Sequence, residues 1–251
     1  MCKQALVVTS FGTSAPEARH SITAVEEALA SAAPGYLFSR AFTSPTIRRI
    51  LKNRGEEVPG LTEALERLLA EGVRQVIVQP THFLYGYEYD KLKVEADTLG
   101  GKFESLIVGR PLLANNRDIQ RFAHRLSQDH PPEAGTATVY MGHGTEHFAN
   151  AAYPALQTAL AFLGRDDIYI GTVEGWPGLE DILRQLDPGG VREIRLLPLM
   201  LVAGDHAQND MAGAWKTRLE QAGYTVVCSF AGLGDLSWVR EMYQERLKAL
   251  L

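Results

Sequence analysis

Short apolar runs alternate with helical patterns along the whole 251-residue chain. This alternation is what most restricts the fold, because strands that alternate with helices form parallel sheets in α/β proteins. The predicted strands lie at 5–11, 37–42, 75–81, 104–109, 138–142, 168–173, 193–199 and 225–230. The sequence therefore predicts an α/β fold in which parallel β-sheets are flanked by helices.

The two halves of the chain also resemble each other. The matched positions are Gly12-Thr13 with Gly144-Thr145, and Val73, Pro80 and Gly86 with Val191, Pro198 and Gly204. The first half is longer between its matched glycines, and residues 48–61 are the predicted insertion. We predict two similar α/β domains related by pseudo-twofold duplication, 1–130 and 136–251, joined by the polar segment 129–135, which is rich in proline and glycine. Whether the C-terminal helix packs across the N-terminal domain is left open.

Composition narrows the possible partners and the compartment. The net charge is −5 and no basic block occurs, which argues against a nucleic-acid partner. No apolar run approaches the ~20 residues of a membrane helix, so no membrane partner is expected. The two cysteines, Cys2 and Cys228, favour a reducing compartment, and the first residues lack a signal-peptide pattern. We expect a cytoplasmic protein, and a homo-oligomer is compatible with the sequence.

Several common chemistries lack their sequence motifs. The nucleophile pattern G-x-S-x-G and the phosphate-binding pattern G-x-x-x-x-G-K-[ST] do not occur. The first strand–helix turn, SFGTSAPEAR, has one glycine instead of the three of a dinucleotide fingerprint. No C-x-x-C occurs, which argues against an iron–sulfur or structural zinc site. We therefore predict no nucleotide cofactor.

Three candidate metal ligands follow three different strands of the second half. They are His143, which lies between two glycines, Glu174 and His206. Ligands of open α/β sheets bind beyond the carboxyl ends of the strands, so these residues are expected at one edge. Imidazole and carboxylate suit cobalt, nickel, iron or zinc. From the residues alone, roles without function are also open: His143 could be a turn residue, His206 a neighbour of a helix cap and Glu174 a solvated carboxylate.

Other residues near the strand ends carry weaker predictions. His147 follows His143 at helical spacing, but it could join a metal site only if a helix began early. Glu88 aligns with His206 by the repeat and is predicted to face the same interdomain cleft. His82 is expected to be a buried structural histidine. Three tyrosines either line the binding site of an aromatic ligand or pack at the domain edge: Tyr85, Tyr87 and Tyr89.

At these residues the chain resembles a known family. The segments that carry the resemblance are VVTSFGTSAPEAR, QPTHFLYGYEYDKL, MGHGTEHFANAAYPAL, GTVEGWPG and LPLMLVAGDHAQNDMAG. They are similar to the anaerobic sirohydrochlorin cobaltochelatases of the CbiK type, in the class II chelatase superfamily. The resemblance implies a tetrapyrrole held in a cleft between two domains. It also implies an enzyme, a lyase that inserts Co²⁺ into sirohydrochlorin without ATP, on the way to cobalamin.

The resemblance further implies roles for particular residues. His143, His206 and Glu174 would bind the metal, and Glu88 would face the same site. We predict His143, His206 and Glu88 as the catalytic residues, which take up the two pyrrole protons. Co²⁺ is the expected substrate metal, with Fe²⁺ or Ni²⁺ as possible substitutes in vitro.

Substrate contacts and alternative functions are also predicted. The residues expected to contact the tetrapyrrole are Ser10, Phe11, Gly12, Thr13 and Tyr87. The basic residues Arg48, Arg49, Lys52 and Arg54 either bind its carboxylates or form a solvated face. The alternatives are a sirohydrochlorin ferrochelatase of the same fold, which makes sirohaem, and a non-catalytic metal- or tetrapyrrole-binding protein.

Overall fold

In the computed structural model of the chain, residues 3–186, 189–204 and 207–251 are described. The chain divides into two compact units. Unit 1 contains the chain up to Leu112 together with Gly234–Leu251, and unit 2 contains Leu113–Leu233. Among the described residues, no helix is long and apolar enough to cross a membrane.

Unit 1 is built on a four-stranded parallel sheet in the order β2-β1-β3-β4. Its elements are β1 (Lys3–Ser10), α1 (Arg19–Ala32), β2 (Leu37–Phe42), α2 (Pro45–Asn53), α3 (Leu61–Ala70), β3 (Val73–Pro80), α4 (Tyr87–Gly100), β4 (Ser105–Val108) and, after unit 2, α9 (Ser237–Lys248). The last six residues of β1 are all buried, as expected for a central strand that helices cover on both faces. On one face, Val7 and Val78 pack with the helix residues Leu65 and Leu92.

Unit 2 repeats this plan with the strand order β6-β5-β7-β8. Its elements are α5 (Asn116–Asp129), β5 (Thr136–Gly142), α6 (Ala152–Phe162), β6 (Ile168–Thr172), α7 (Leu179–Gln185), β7 (Glu193–Pro198), the π-helix Ala207–Trp215, α8 (Lys216–Gln221) and β8 (Thr225–Cys228). Its core places Val139 and Leu196 of the sheet against Ile182 and Leu219 of the helices. The predicted α/β class with parallel sheets is confirmed.

The two sheets share one topology, as a duplicated unit requires. Between the second and third strands, unit 1 has two helices, α2 and α3, where unit 2 has only α7 among its described residues. The extra helix α2 overlaps the predicted insertion at 48–61. Its start is fixed by Ser44, whose hydroxyl accepts a hydrogen bond from the Ile47 amide at 3.4 Å, and by Pro45 in the first turn.

The sequence and the contacts place the boundary between the two parts differently. The polar segment 129–135 lies between α5 and β5, whereas the compact units divide at Leu112. The difference arises because α5 packs against α6 of unit 2. The C-terminal helix α9 packs against α1 of unit 1.

Candidate functional site

His143 lies directly after β5, and packing requires the glycine on each side of it. A Cβ atom at Gly142 would lie 2.4 Å from the Tyr153 ring. Gly144 has a φ of +81°, and a Cβ there would lie 2.6 Å from the Gly175 amide nitrogen. Both positions therefore exclude larger residues, and the loop of His143 packs backbone against backbone on the loop that follows β6.

Glu174 lies beside His143 because β5 and β6 are neighbouring parallel strands. Gly142 pairs with Thr172, and the Glu174 amide donates a 2.8 Å hydrogen bond to the His143 carbonyl. The Glu174 carboxylate oxygen Oε2 lies 3.8 Å from His143 Nδ1, and the two side chains are 59% and 44% exposed. The structure thus brings two of the three predicted metal ligands together at one accessible edge.

A hydrogen bond fixes which nitrogen of His143 carries the proton. Nδ1 lies 2.8 Å from the Gly144 carbonyl oxygen, which can only accept. Nδ1 therefore donates, and the lone pair of the neutral ring lies on Nε2. Backbone carbonyls commonly orient metal-binding histidines in this way.

The third predicted ligand, His206, lies outside the described residues. It directly precedes the π-helix Ala207–Trp215, a rare conformation that is frequent at functional sites. Over residues 3–186, 189–204 and 207–251, no group of three or more His, Cys, Asp or Glu side chains is arranged to hold a metal. The complete ligand set therefore stays a prediction.

His147 has a local structural role. It caps the 3₁₀ helix Phe148–Ala151, and its Nδ1 accepts a 3.0 Å hydrogen bond from the Ala149 amide. In the neutral ring the proton is then on Nε2, so this conformation presents no ring lone pair to a metal. The helix required for pairing with His143 at i,i+4 does not begin early enough.

The loop that carries Glu174 is held rigidly on unit 2. The Thr172 amide and hydroxyl both donate to the Pro177 carbonyl, at 2.7 and 2.9 Å. The Asn150 side chain bridges this loop to that of His143, since Thr145 N donates to its Oδ1 and its Nδ2 donates to the Trp176 carbonyl. Sequence reasoning missed Asn150, and its closeness to His143 in sequence was the only available signal.

Two large aromatic side chains extend into solvent from the same edge of unit 2. Phe148 is 90% exposed and Trp176 is 62% exposed. They lie on the loops that follow β5 and β6, which are also the loops of His143 and Glu174. An apolar surface beside two candidate metal ligands suits a flat organic ligand.

In unit 1, Glu88 lies in the first turn of α4. Its carboxylate, 31% exposed, accepts a 2.8 Å hydrogen bond from Lys91. His82 follows β3, and both its ring nitrogens are shielded from solvent without a hydrogen-bond partner among the described residues. Burial lowers the pKa of His82 to about 4, and the nearby charge of Glu88 opposes this with a smaller effect. His82 is therefore neutral at neutral pH.

The five residues predicted to contact the tetrapyrrole have different surroundings. The Ser10 hydroxyl is buried and accepts a hydrogen bond from Thr81 at 2.8 Å. The Thr13 hydroxyl is also buried and accepts from the Ala15 amide, which removes that amide as a carboxylate-binding donor. Gly12, at φ +96°, packs against the Phe42 ring. Phe11 and Tyr87 are the members of this set with exposed side chains.

The members of the predicted tyrosine set and of the predicted basic set also have different surroundings. Tyr85 packs edge-on against Tyr89 at 4.8 Å, and the buried Tyr89 hydroxyl donates to the Gly109 carbonyl, so these two pack the domain edge. Arg48 pairs with Glu63, and Arg54 donates to the Ser14 carbonyl. Arg49 and Lys52 lie exposed on α2.

Comparisons with known proteins agree over the full length of the chain. The sequence profile of the family described as cobalt chelatase (CbiK) matches residues 4–251. The sirohydrochlorin cobaltochelatase of Salmonella typhimurium is 38% identical over 259 residues, covering 99% of this chain and 97% of that protein. The sirohydrochlorin cobaltochelatase CbiKC of Nitratidesulfovibrio vulgaris is 33% identical over 257 residues, covering 99% of this chain and 91% of that protein.

Solved structures with low sequence identity share the fold. SirB from Bacillus subtilis with Fe³⁺ superposes with a TM-score of 0.70 at 14% identity, covering 98% of this chain and 94% of SirB. CbiX, described as the terminal enzyme of sirohaem biosynthesis in denitrifying bacteria, has a TM-score of 0.59 at 19% identity, covering 99% and 100%. With the profile match and the two relatives above 30% identity, these findings assign the chain to the cobalt chelatase (CbiK) family.

Proposed function

We propose that this chain inserts Co²⁺ into sirohydrochlorin without a nucleotide cofactor. One observation carries the proposal: His143 and Glu174 meet at an exposed sheet edge in a chain of the CbiK family. Both curated relatives described above are named sirohydrochlorin cobaltochelatase. A metal-insertion enzyme needs an accessible ion, and this pair is accessible.

In this proposal His143 presents the metal through Nε2. Nδ1 donates its proton to the Gly144 carbonyl, so the lone pair of the neutral ring lies on Nε2, the nitrogen that is proposed to coordinate the ion. Glu174 supplies an anionic oxygen, which lies 3.8 Å from His143 Nδ1, and its exposed side chain is proposed to turn toward Nε2 to bind the same ion. His206 is proposed as the third ligand. A set of two imidazoles and one carboxylate suits a first-row divalent ion.

Two aromatic side chains of unit 2 are proposed to contact the macrocycle. Phe148 and Trp176 lie on the ligand-bearing loops, and their exposed rings offer flat apolar surfaces to a flat apolar ring system. In unit 1, Phe11 and Tyr87 are the exposed aromatic residues proposed for the same substrate. Arg49 and Lys52 are proposed to attract its carboxylates.

Metal insertion must also release two protons, because one M²⁺ replaces two pyrrole N–H protons. As the ion leaves His143 for a pyrrole nitrogen, the Nε2 lone pair becomes able to accept one of these protons. Glu88 is proposed to accept the other, since a carboxylate salt-bridged to Lys91 is an anionic base. The protons then pass to solvent, and the net charge is balanced.

The test is anaerobic mixing of the purified chain with sirohydrochlorin and Co²⁺ while the absorption spectrum is followed. We expect rapid conversion by the parent chain and none above background by His143→Ala. His124→Ala, a change at an exposed histidine on α5, is the matched control and should retain full activity. Full turnover by His143→Ala would contradict the proposed site. Faster insertion of Fe²⁺ than Co²⁺ would favour a ferrochelatase, and tight binding without insertion would favour a carrier protein.

A further inference from the structure

The Asn150 carboxamide joins the two loops that carry the candidate metal ligands. We call residues 143–147 the histidine loop and residues 173–178 the glutamate loop. Asn150 Oδ1 accepts a 3.1 Å hydrogen bond from Thr145 N of the histidine loop. Asn150 Nδ2 donates a 2.6 Å hydrogen bond to the Trp176 carbonyl of the glutamate loop. Each contact therefore falls two residues beyond a candidate ligand, His143 or Glu174.

The two loops leave little room for this side chain to move. A Cβ atom at Gly175 would lie 2.3 Å from Asn150 Oδ1. The Asn150 backbone is itself held, because its amide donates to the His147 carbonyl at 2.9 Å. The carboxamide is thus fixed between two backbone groups of opposite polarity.

Only a side chain with one donor and one acceptor at this length satisfies both loops. Aspartate would place an oxygen against the Trp176 carbonyl, alanine would reach neither loop, and glutamine is one methylene longer. The carboxamide orientation follows from its partners, because an N–H must meet the oxygen and a carbonyl must meet the NH₂ group.

We propose that Asn150 is a positioning residue that sets the spacing between His143 and Glu174 for one divalent ion. This inference rests on the proposed function. The backbone hydrogen bonds between the two loops run from the Val173 and Glu174 amides to the Gly142 and His143 carbonyls, so they join the loops only at and before the two candidate ligands. Asn150 adds a second point beyond both ligands, so the two side chains stay together before the metal arrives. Groups that orient metal ligands typically contribute 10–100-fold to affinity.

The test uses Co²⁺ titrations of the full chain, followed by the visible absorption of the bound ion, which reports coordination geometry. Asn150→Ala should bind Co²⁺ about 10–100-fold more weakly and change the spectrum of the bound ion. Asn115→Ala is the matched control, because the side-chain oxygen of Asn115 also accepts a hydrogen bond from a backbone N–H, that of Asp118, as the cap of α5 in the same unit. It should cost about 1 kcal/mol of stability and leave Co²⁺ binding and its spectrum unchanged.

A second variant acts on the same contact from the opposite loop. Gly175→Ala keeps Asn150 but forces its oxygen aside, and glycine at this position does not have a positive φ. It should show the same weakened binding and altered spectrum, and it decides the question if Asn150→Ala fails to fold.

The outcomes separate this inference from the proposed function. If both variants bind Co²⁺ within twofold of the parent and with its spectrum, while His143→Ala loses binding, the role of Asn150 is wrong and the metal site stands. If His143→Ala binds Co²⁺ as the parent does, the proposed metal site itself is wrong.

Discussion

The sharpest prediction concerns His82, whose two ring nitrogens are shielded and unpartnered among the described residues. Its pKa is lowered from 6.5 to about 4 by burial. Below pH 6.5 the unfolded chain binds a proton at His82 that the folded chain does not bind, so the free energy of unfolding falls as pH decreases. The loss of stability is complete below the pKa of His82 in the folded chain. There it amounts to about 3 kcal/mol, because each unit of pKa difference corresponds to 1.36 kcal/mol. Between pH 7 and pH 5 the loss is about 2 kcal/mol.

The perturbation is His82→Met, because the repeat aligns His82 with Met200 of unit 2. At pH 7 this variant should be at least as stable as the parent, since it removes polar atoms whose burial costs about 1–3 kcal/mol. Urea unfolding at pH 7 and pH 5 measures the effect. The free energy of unfolding of the parent should fall between these pH values by about 2 kcal/mol more than that of His82→Met.

A histidine at the surface provides the control. His124→Met should show the same pH dependence as the parent, because His124 is exposed on α5. Glu88 is the charge that opposes the shift, so Glu88→Gln should lower the pKa of His82 further. If the parent and His82→Met lose equal stability between pH 7 and pH 5, His82 does not titrate as a buried group.

Three further predictions test other parts of the account. Gly144→Ala should destabilise the chain by about 3 kcal/mol in urea unfolding, from a strained φ plus a clash, whereas Gly164→Ala, at φ +73° with open space around it, should cost about 1 kcal/mol. Glu88→Gln should lower kcat about 10²-fold or more in steady-state assays while Co²⁺ affinity changes little; equal losses in both would make Glu88 a ligand. Arg49→Ala with Lys52→Ala should raise KM for sirohydrochlorin and weaken its salt dependence, and an unchanged KM would leave these residues as a solvated face.

Much of the fold was predictable because buried parallel strands have a distinctive sequence pattern. All eight predicted strands are present, with ends that differ by at most two residues, since each is a short apolar run that ends in or before glycine, proline or a polar residue. The duplication was also predictable from the sequence, because the ends of corresponding strands have the same glycines and prolines in both halves. The difference in length between the halves placed the insertion at 48–61, which overlaps the extra helix α2.

The partner of α5 was not predictable from its sequence. Its apolar face, with Ile119, Phe122 and Leu126, predicts burial but does not identify the surface that buries it. The linker composition then favoured a boundary after the helix, whereas packing on α6 associates the helix with unit 2.

The site was predictable where topology alone places residues. His143 and Glu174 follow neighbouring strands, so the order of the strands brings them together. The bridge made by Asn150 depends on how two loops fold back on each other, and no sequence period encodes that geometry. His147 had a ligand's spacing in sequence, but a local 3₁₀ turn uses its ring nitrogen as a cap.

The most direct test of the metal site is anomalous diffraction at the cobalt edge from a Co²⁺-loaded crystal. The account predicts one peak about 2.0–2.2 Å from His143 Nε2 and from a Glu174 carboxylate oxygen, with His206 as the third ligand. A peak on Nδ1, or a cobalt ion bound away from His143 and Glu174, would contradict it.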